Sequence, residues 1–235
     1  MTSYHGGKHR LGKRISEAIM DHVDLSKIKG YCEPFCGMLG VYRHIPPNLP
    51  EYKAGDLNLS VVKMWREAQN GWVPPTSATR ETFDRLKREK DSALKGYVGH
   101  QFSFGGQFMQ GHVLRVGTPA SNRVCDIATK LKDVDFLHGS YTQFSDLEGF
   151  IIYCDPPYLG TECKYQEKWG KDADKKFWEW VKTMAENNEV FVSGYSKPDY
   201  ANAECVFENT HIIAGGAVGR SRQPKKRTEK LFNVK

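Results

Sequence analysis

The stretch FIIYCDPPY, residues 150–158, decides the fold of this chain. Its first five residues are apolar, mostly β-branched or aromatic, and predict a buried strand. Pro156 and Pro157 cannot donate to a ladder, so the strand ends before them and Asp155 lies at its carboxyl end, where open α/β sheets bind ligands. Tyr158 follows on a stiff turn. An acceptor, a rigid turn and an aromatic ring favour a site for an amine on a flat ring, while a plain Asp-Pro turn is the alternative.

The composition is that of an ordinary globular protein of one large domain, or one domain with a small insertion. Hydrophobic residues make up 39% and charged residues 26%, so a packed core is expected rather than disorder. The net charge of +6 is compatible with a nucleic-acid partner without establishing one. No stretch approaches the ~18 apolar residues of a membrane helix, and the first residues carry no apolar signal region. We therefore expect an intracellular, cytoplasmic protein with no membrane association.

The six cysteines are scattered, without a C-x-x-C pair. Cys32 and Cys36 flank Glu-Pro-Phe, which is a poor zinc knuckle. Free thiols in a reducing compartment and no bound metal are expected.

Glycines and an acid in the first third are typical of a nucleotide site. Gly6 and Gly7 let the backbone approach a ligand, and Lys8 can reach an anion or a carboxylate, although a flexible N-terminal tail is the alternative. Asp56 follows a glycine turn by about 20 residues, the spacing at which an acid meets a ribose hydroxyl. An N-cap is the alternative here, and both hold if Asn58 is the cap. The predicted elements are a helix at 14–23, a strand at 30–35, a glycine turn at 36–40, a helix at 41–45, a strand at 51–58 and a helix at 59–69.

Residues 71–123 predict a small helical insertion. Ser77–Lys95 is highly charged and predicts one surface helix ended by Gly96, whose basic residues are either a solvated face or a DNA-binding patch. Gly96–Gly117 mixes aromatic and amide side chains with glycines, which suits contacts with bases unless the phenylalanines pack inward. Arg115 and Arg123 are candidates for phosphate contacts, and Arg123–Leu131 predicts a helix that returns to the main sheet.

The last third predicts strands at 136–141 and 189–195, a helix at 175–186, and a closing hairpin of strands 205–213 and 230–234. Residues 159–174 form a connection long enough to be an active-site flap. The loop 215–228 is glycine-rich and then basic, and is either a phosphate contact or simply mobile.

Three features coincide in one order: a Gly-Gly-Lys start, a Glu-Pro-Phe-x-Gly turn followed by an acid on strand two, and Asp-Pro-Pro-Tyr. Together they resemble the Dam-like DNA adenine-N6 methyltransferases, in which the target-recognition insertion precedes the catalytic motif. The resemblance implies a class I S-adenosylmethionine-dependent α/β domain, with a seven-stranded sheet ending in a reversed hairpin. It divides the chain into a catalytic domain, 1–70 and 124–235, and a recognition insertion, 71–123.

The resemblance also implies roles for single residues. Cofactor contacts fall on Tyr4, Lys8, Phe35, Gly37, Asp56, Tyr141 and Asp155. The catalytic motif is Asp155, Pro156 and Tyr158, where the carboxylate and the Pro156 carbonyl accept hydrogen bonds from the adenine amine and Tyr158 stacks on a flipped base. Target-DNA contacts are expected at Phe104, Gln107, Phe108, Arg115 and Arg123. No metal is required, and aspartate at the first motif position favours adenine N6 over cytosine N4.

The sequence departs from that family at three places. Tyr4 stands where tryptophan is usual, Leu39 takes the second glycine position of the turn, and the usual arginine and asparagine of the recognition loop are missing. The expected partner is double-stranded DNA, with the protein a monomer or weak dimer in a prokaryotic, phage or viral context compatible with a restriction endonuclease partner. A methyltransferase of RNA or of a protein amide and a catalytically inactive DNA-binding relative are the alternatives.

Overall fold

Seven strands form one sheet in the order β3-β2-β1-β4-β5-β7-β6. The computed structural model describes residues 6–114, 118–131, 133–158, 169–199, 201–213 and 225–235. Neighbours among β1 to β5 are parallel, and β7 runs antiparallel to both β5 and β6. The strands are β1 (Gly30–Glu33), β2 (Glu51–Asp56), β3 (Val134–His138), β4 (Phe150–Cys154), β5 (Glu189–Gly194), β6 (Ala203–Ile213) and β7 (Lys225–Val234). The expected class I methyltransferase fold, with its reversed C-terminal hairpin, is confirmed.

The strand order reverses between β1 and β4, which are hydrogen-bonded neighbours. Their register runs from Gly30 opposite Phe150 to Cys32 opposite Ile152, so the residues that follow both strands meet at one edge. Every residue of both strands is buried, as expected for central parallel strands covered on both faces. In open α/β sheets this reversal point is where ligands bind.

The helices are α1 (Gly12–Met20), α2 (Leu59–Gln69), α3 (Arg80–Arg88), α4 (Ala93–Gln101), α5 (Thr118–Ala128) and α6 (Lys171–Met184). The predicted helix at residues 41–45 is wrong, because only one 3-10 turn forms there, at Tyr42–His44. Pro46 restricts Ile45 to extended backbone and so prevents a longer helix.

The single helix predicted at Ser77–Lys95 is also wrong. The chain becomes extended at Glu89, and Ser92 starts a second helix by accepting a hydrogen bond from the Lys95 amide at 3.1 Å. Gly96 lies inside that second helix, α4, rather than ending it.

Two boundaries in the last third also differ from prediction. Helix α6 begins at Lys171, so the end of the predicted flap is helical, while residues 159–168 lie outside the described residues. Strand β7 begins at Lys225, so the basic run at 225–227 belongs to the sheet and not to a loop.

The sheet is covered unequally on its two faces. Helices α1 to α5 pack on one face around Trp65, which is fully buried. The other face is covered mainly by α6 through Phe177, Trp178, Val181 and Met184. The edge between β1 and β4 therefore opens between two hydrophobic clusters.

Segment 71–123 shares the core of the first face. Phe83, Tyr97 and Phe102 are fully buried in the same cluster as Trp65. A Cβ on Gly96 would lie 2.2 Å from the Ser60 carbonyl oxygen, so α4 and α2 touch through their backbones. The assignment of this segment as a separate recognition unit stays a prediction. None of the helices in the described part of the chain is both long and apolar enough to cross a membrane.

Candidate active site

Asp155 lies directly beyond β4 and is paired with a lysine 147 positions away. The Nζ atom of Lys8 is 2.6 Å from both carboxylate oxygens, and Lys8 is only 6% exposed. Burial by itself lowers the pKa of Lys8, but nearby groups, Asp155 first among them, raise that pKa well above its usual value. Burial raises the pKa of Asp155, against the opposing effect of the ammonium. The site therefore holds a charged lysine beside its acceptor.

A second carboxylate, Glu229 on β7, shares the same ammonium and was not predicted. Its Oε1 atom is 3.2 Å from Lys8 Nζ and 3.4 Å from the Tyr158 hydroxyl. Glu229 is 9% exposed, so it faces inward on a strand on which Lys226 and Arg227 are exposed. The sequence carried one signal: Glu229 shares a strand face with the apolar Leu231, whereas Thr228 and Lys230 lie on the other face, which favours the core side for the acid.

Tyr158 closes the cluster from the other side. Its hydroxyl donates to Asp155 Oδ1 at 2.9 Å, and its ring centroid lies 5.1 Å from Lys8 Nζ. The ring of Tyr195, which follows β5, meets it edge-on with centroids 4.7 Å apart. Pro156, which lies between Asp155 and Tyr158 in the chain, is buried. All three predicted motif residues thus lie at one place.

Gly12 and Gly40 allow the close packing that positions the backbone of Lys8. The Lys8 carbonyl accepts hydrogen bonds from the amides of Leu11 at 3.0 Å and Gly12 at 2.6 Å, at the start of α1. A Cβ on Gly12 would lie 2.0 Å from the Gly40 carbonyl oxygen, and a Cβ on Gly40 would lie 3.0 Å from the Lys8 carbonyl carbon. The last glycine of the turn therefore accommodates the N-terminal segment.

The first glycine of the turn is tied to the second strand. Gly37 has φ 43°, and its amide donates to Asp56 Oδ2 at 3.0 Å, while Trp65 Nε1 donates to its carbonyl at 2.8 Å. Asp56 Oδ1 accepts from the Asn58 amide at 2.8 Å. Burial raises the pKa of Asp56, and these two amides oppose the rise. The predicted cap is confirmed, because Asn58 accepts from the Ser60 amide at 3.0 Å.

Leu39 adopts a backbone conformation that favours glycine. It has φ 51° and is fully buried. This left-handed conformation costs roughly 1–2 kcal/mol for a residue with a Cβ, a cost similar to what burial of a leucine side chain contributes. The turn keeps its shape without the second glycine of the related motif.

Phe35 and Tyr141 form an aromatic wall beside this turn. Their rings are stacked with centroids 5.7 Å apart, and Phe177 meets both edge-on at 5.6 and 5.4 Å. Trp169 and Trp180 extend the wall at 6.1 Å from Phe35 and 5.0 Å from Tyr141. The two predicted cofactor residues are therefore in contact, and the tryptophans add apolar surface that was not predicted.

Glu33, at the end of β1, is a buried acid below the site. It is 2% exposed and accepts a hydrogen bond from the Tyr31 hydroxyl at 2.7 Å. Burial raises the pKa of Glu33 to about 8, although the bonds from Tyr31 and the Tyr42 backbone oppose this. The side chain is therefore mainly neutral at pH 7.

The predicted DNA contacts separate into exposed and packed residues. Phe104 is 75% exposed, and Gln107 is half-buried. Phe108 packs inward, since a Cβ on Gly99 would lie 2.5 Å from its ring and its centroid is 5.0 Å from that of His100. This is the inward packing weighed as the alternative, and of the two phenylalanines predicted to contact DNA it leaves Phe104 open to solvent.

Arg123 lies on α5, within electrostatic reach of the N-terminal segment. The pKa of His9 is lowered to about 4 by burial and then by the charges of Arg123 and Arg43. Arg123 therefore contributes positive charge beside the residue that follows Lys8. Two predicted residues, Tyr4 and Arg115, lie outside the described residues.

Comparisons with known proteins give fold-level likeness only. No protein-family model matches the chain, and no curated protein matches it in sequence. Two solved structures of the rRNA methyltransferase AviRa from Streptomyces viridochromogenes are similar in fold. One is 11% identical, with a TM-score of 0.43, over 98% of this chain and 86% of that one. The other is 13% identical, with a TM-score of 0.38, over 94% and 84%. Likenesses this distant carry no information on the substrate of the present chain.

Proposed function

We propose that this protein is an S-adenosylmethionine-dependent methyltransferase that acts on the N6 amine of adenine in double-stranded DNA. The observation that supports this most is the arrangement of Asp155 and Tyr158 directly beyond β4, with Lys8 2.6 Å from the carboxylate. The site adjoins a glycine turn and an aromatic wall at the reversal point of the sheet.

The residues present fit the cofactor. A carboxylate offers about four acceptor positions, and two backbone amides use only two on Asp56, which leaves positions for the hydroxyls of a ribose. Phe35 and Tyr141 supply a flat apolar surface for an adenine ring. Lys8, Asp155 and Glu229 together carry a net negative charge, which suits a sulfonium. When bound, S-adenosylmethionine supplies an electrophilic methyl group and leaves as S-adenosylhomocysteine.

Asp155 can accept a hydrogen bond from an exocyclic amine. Lys8 contacts both of its oxygens and Tyr158 contacts one, so about one of its four acceptor positions stays open. An amine that donates to this position and to the Pro156 carbonyl would be held with its nitrogen lone pair free. Orientation of this kind supplies much of the catalysis, because the delocalised lone pair of adenine N6 is a poor nucleophile.

Lys8 is assigned a positioning role towards Asp155. Its ammonium has three N–H groups, and acceptors on Asp155, Glu229 and the Gly6 carbonyl at 3.0 Å lie within reach. It holds the carboxylate in place and favours the ionised form that an amine needs as an acceptor. The expected contact of Lys8 with the cofactor remains a prediction.

The acceptor nucleotide must leave the duplex to reach this edge of the sheet. Tyr158 and Tyr195 offer aromatic surface next to Asp155 for a flipped base. Phe104, with its ring exposed, and Arg123 are proposed contacts with the surrounding DNA. The formal charge of +6 supports a polyanionic acceptor.

The test uses the full chain, labelled S-adenosylmethionine and four acceptors: duplex DNA, single-stranded DNA, RNA and denatured protein. Products are digested to nucleosides or amino acids and identified by mass spectrometry. We expect N6-methyl-2′-deoxyadenosine from DNA, and we expect Asp155→Ala to lower its rate by at least about a hundredfold. Asp146→Ala, which removes an exposed acid before β4, is the matched control and should retain full rate.

Other products would overturn parts of the proposal. Methylated cytosine, methylated RNA or a methylated amide as the main product would contradict the acceptor. An Asp155→Ala variant that transfers at the wild-type rate would contradict the role of that residue. A chain that binds the cofactor but methylates none of the four acceptors would favour the inactive DNA-binding alternative.

A further inference from the structure

We infer that Glu229 gives the site the extra negative charge by which it binds S-adenosylmethionine in preference to S-adenosylhomocysteine. The inference rests on the proposed function. It assigns a cofactor-selecting role to a residue on the reversed hairpin, outside the three motifs that the sequence singles out. Glu229 acts through its charge and need not touch the transferred methyl group.

The position of Glu229 makes it part of the site. It lies 3.2 Å from Lys8 Nζ and 3.4 Å from the Tyr158 hydroxyl, and both of these residues contact Asp155. The side chains of Lys8, Asp155 and Glu229 are 6%, 19% and 12% exposed, so the cluster is largely shielded from water. Charges in such a setting interact more strongly than charges on the surface.

The count of charges gives the selectivity. One ammonium lies between two carboxylates, so the three side chains carry +1 and −2, a net charge of −1. Without Glu229 the pair of Lys8 and Asp155 would be neutral. The nearby Glu33 adds little charge at pH 7, because burial holds it mainly in the neutral form.

The two ligands differ by one methyl group and one unit of charge. S-adenosylmethionine carries a positive sulfonium, whereas S-adenosylhomocysteine has a neutral thioether. A net charge of −1 stabilises the first and does nothing for the second. This arrangement favours the methyl donor over the product and so limits product inhibition.

The experiment compares both ligands on the wild type and on Glu229→Gln, which keeps the shape of the side chain and removes its charge. Dissociation constants are measured by isothermal titration calorimetry. We expect the Kd for S-adenosylmethionine to rise at least about tenfold in Glu229→Gln, because a unit charge within about 12 Å contributes at least that factor at an effective dielectric constant of about 20. The Kd for S-adenosylhomocysteine should stay within about twofold, because the thioether carries no charge to respond.

Two further variants control for structure. Glu208→Gln removes an exposed acid from the neighbouring strand β6 and should change neither constant. Glu229→Asp keeps the charge on a shorter side chain, so it should preserve the ratio of the two constants even where both rise. If Glu229→Gln does not fold, the test is the ratio of the two dissociation constants in Glu229→Asp. A ratio that differs from that of the wild type counts against the inference.

An equal rise of both constants in Glu229→Gln, or no change in either, would overturn the inference and leave Glu229 a structural residue. These outcomes differ from failure of the proposed function. The inference depends only on the cofactor-binding part of that function, and failure of that part would show as a wild-type chain that binds neither S-adenosylmethionine nor S-adenosylhomocysteine.

Discussion

Replacing Lys8 by methionine removes the one cation from a cluster of two carboxylates. The apolar stem of the side chain is retained, so packing changes little and the effect is mainly electrostatic. Asp155 and Glu229 would then lie close together without the ammonium between them, with Tyr158 as a shared donor. We expect the folded state to be destabilised and to become sensitive to pH.

The size of the effect follows from burial. Removing one partner of a buried pair costs about 3–5 kcal/mol. Because Asp155 retains 19% of its exposure, water can solvate it in part, and we take the lower end, about 3 kcal/mol. For a chain of 235 residues this corresponds to a fall in Tm of roughly 6–12 °C.

The pH dependence has a definite sign. Because the pKa of Lys8 is raised, its ammonium stays charged at the two tested values, about pH 5.5 and about pH 8. The contribution of Lys8 to the stability of the wild type is therefore constant over this range. In the variant, the pKa of Asp155, already raised by burial, loses the opposing effect of Lys8 and rises further. A folded state that binds protons more readily than the unfolded state gains stability as pH falls, so the deficit should shrink at the lower pH.

Urea denaturation and thermal melts at both pH values provide the measurement. Lys13→Met removes an exposed lysine from α1 and should change stability by less than about 0.5 kcal/mol. The double variant Lys8→Met/Glu229→Gln should recover at least about 1 kcal/mol relative to the sum of the two single changes. A wild-type Tm for Lys8→Met, a deficit that grows as pH falls, or strict additivity would each refute the reasoning.

Three further predictions concern the surroundings of the site. Glu33→Gln should stabilise the protein by roughly 3 kcal/mol at pH 7. The folded pKa of about 8 lies above the ordinary 4.5, so wild-type stability falls as pH rises between these values. The melting temperatures at about pH 5 and about pH 8 should therefore differ less in the variant than in the wild type, and an unchanged difference would contradict this. Gly12→Ala should lower the free energy of unfolding by more than about 2 kcal/mol and abolish methyl transfer, because its Cβ would lie 2.0 Å from a carbonyl oxygen. Gly170→Ala places a Cβ in open space and should change neither stability nor activity. Phe108→Ala should lower stability by about 2 kcal/mol, roughly half the cost for a fully buried phenylalanine, because Phe108 is half-buried. Phe104→Ala should leave the melt unchanged and raise KM for DNA about tenfold. The opposite pattern would show that the outer ring is structural.

Local patterns were sufficient for most elements of the sheet. The stretch 150–158 placed an acid at the end of a buried strand, and the structure has β4 at Phe150–Cys154 with Asp155 next. Asn58 was predicted as a cap and is one. Strand periodicity, proline and capping are decided by neighbours in the chain, so they can be read without tertiary contacts. The prediction of helices failed where the backbone becomes extended within a segment of helical composition, at Glu89 and at the residue before Pro46.

The composition of the site depended on contacts distant in sequence. The pattern suggested that Lys8 reaches a carboxylate, but only the packing of Gly12 on Gly40 brings it to Asp155. Nothing local marks Glu229 as a partner of that lysine, because its place depends on β7 entering the sheet between β5 and β6. Sequence by itself thus determined which residues could do chemistry at the end of each strand. The tertiary structure decided which of them share one desolvated volume, since burial and charge pairing are set by segments far apart in the chain.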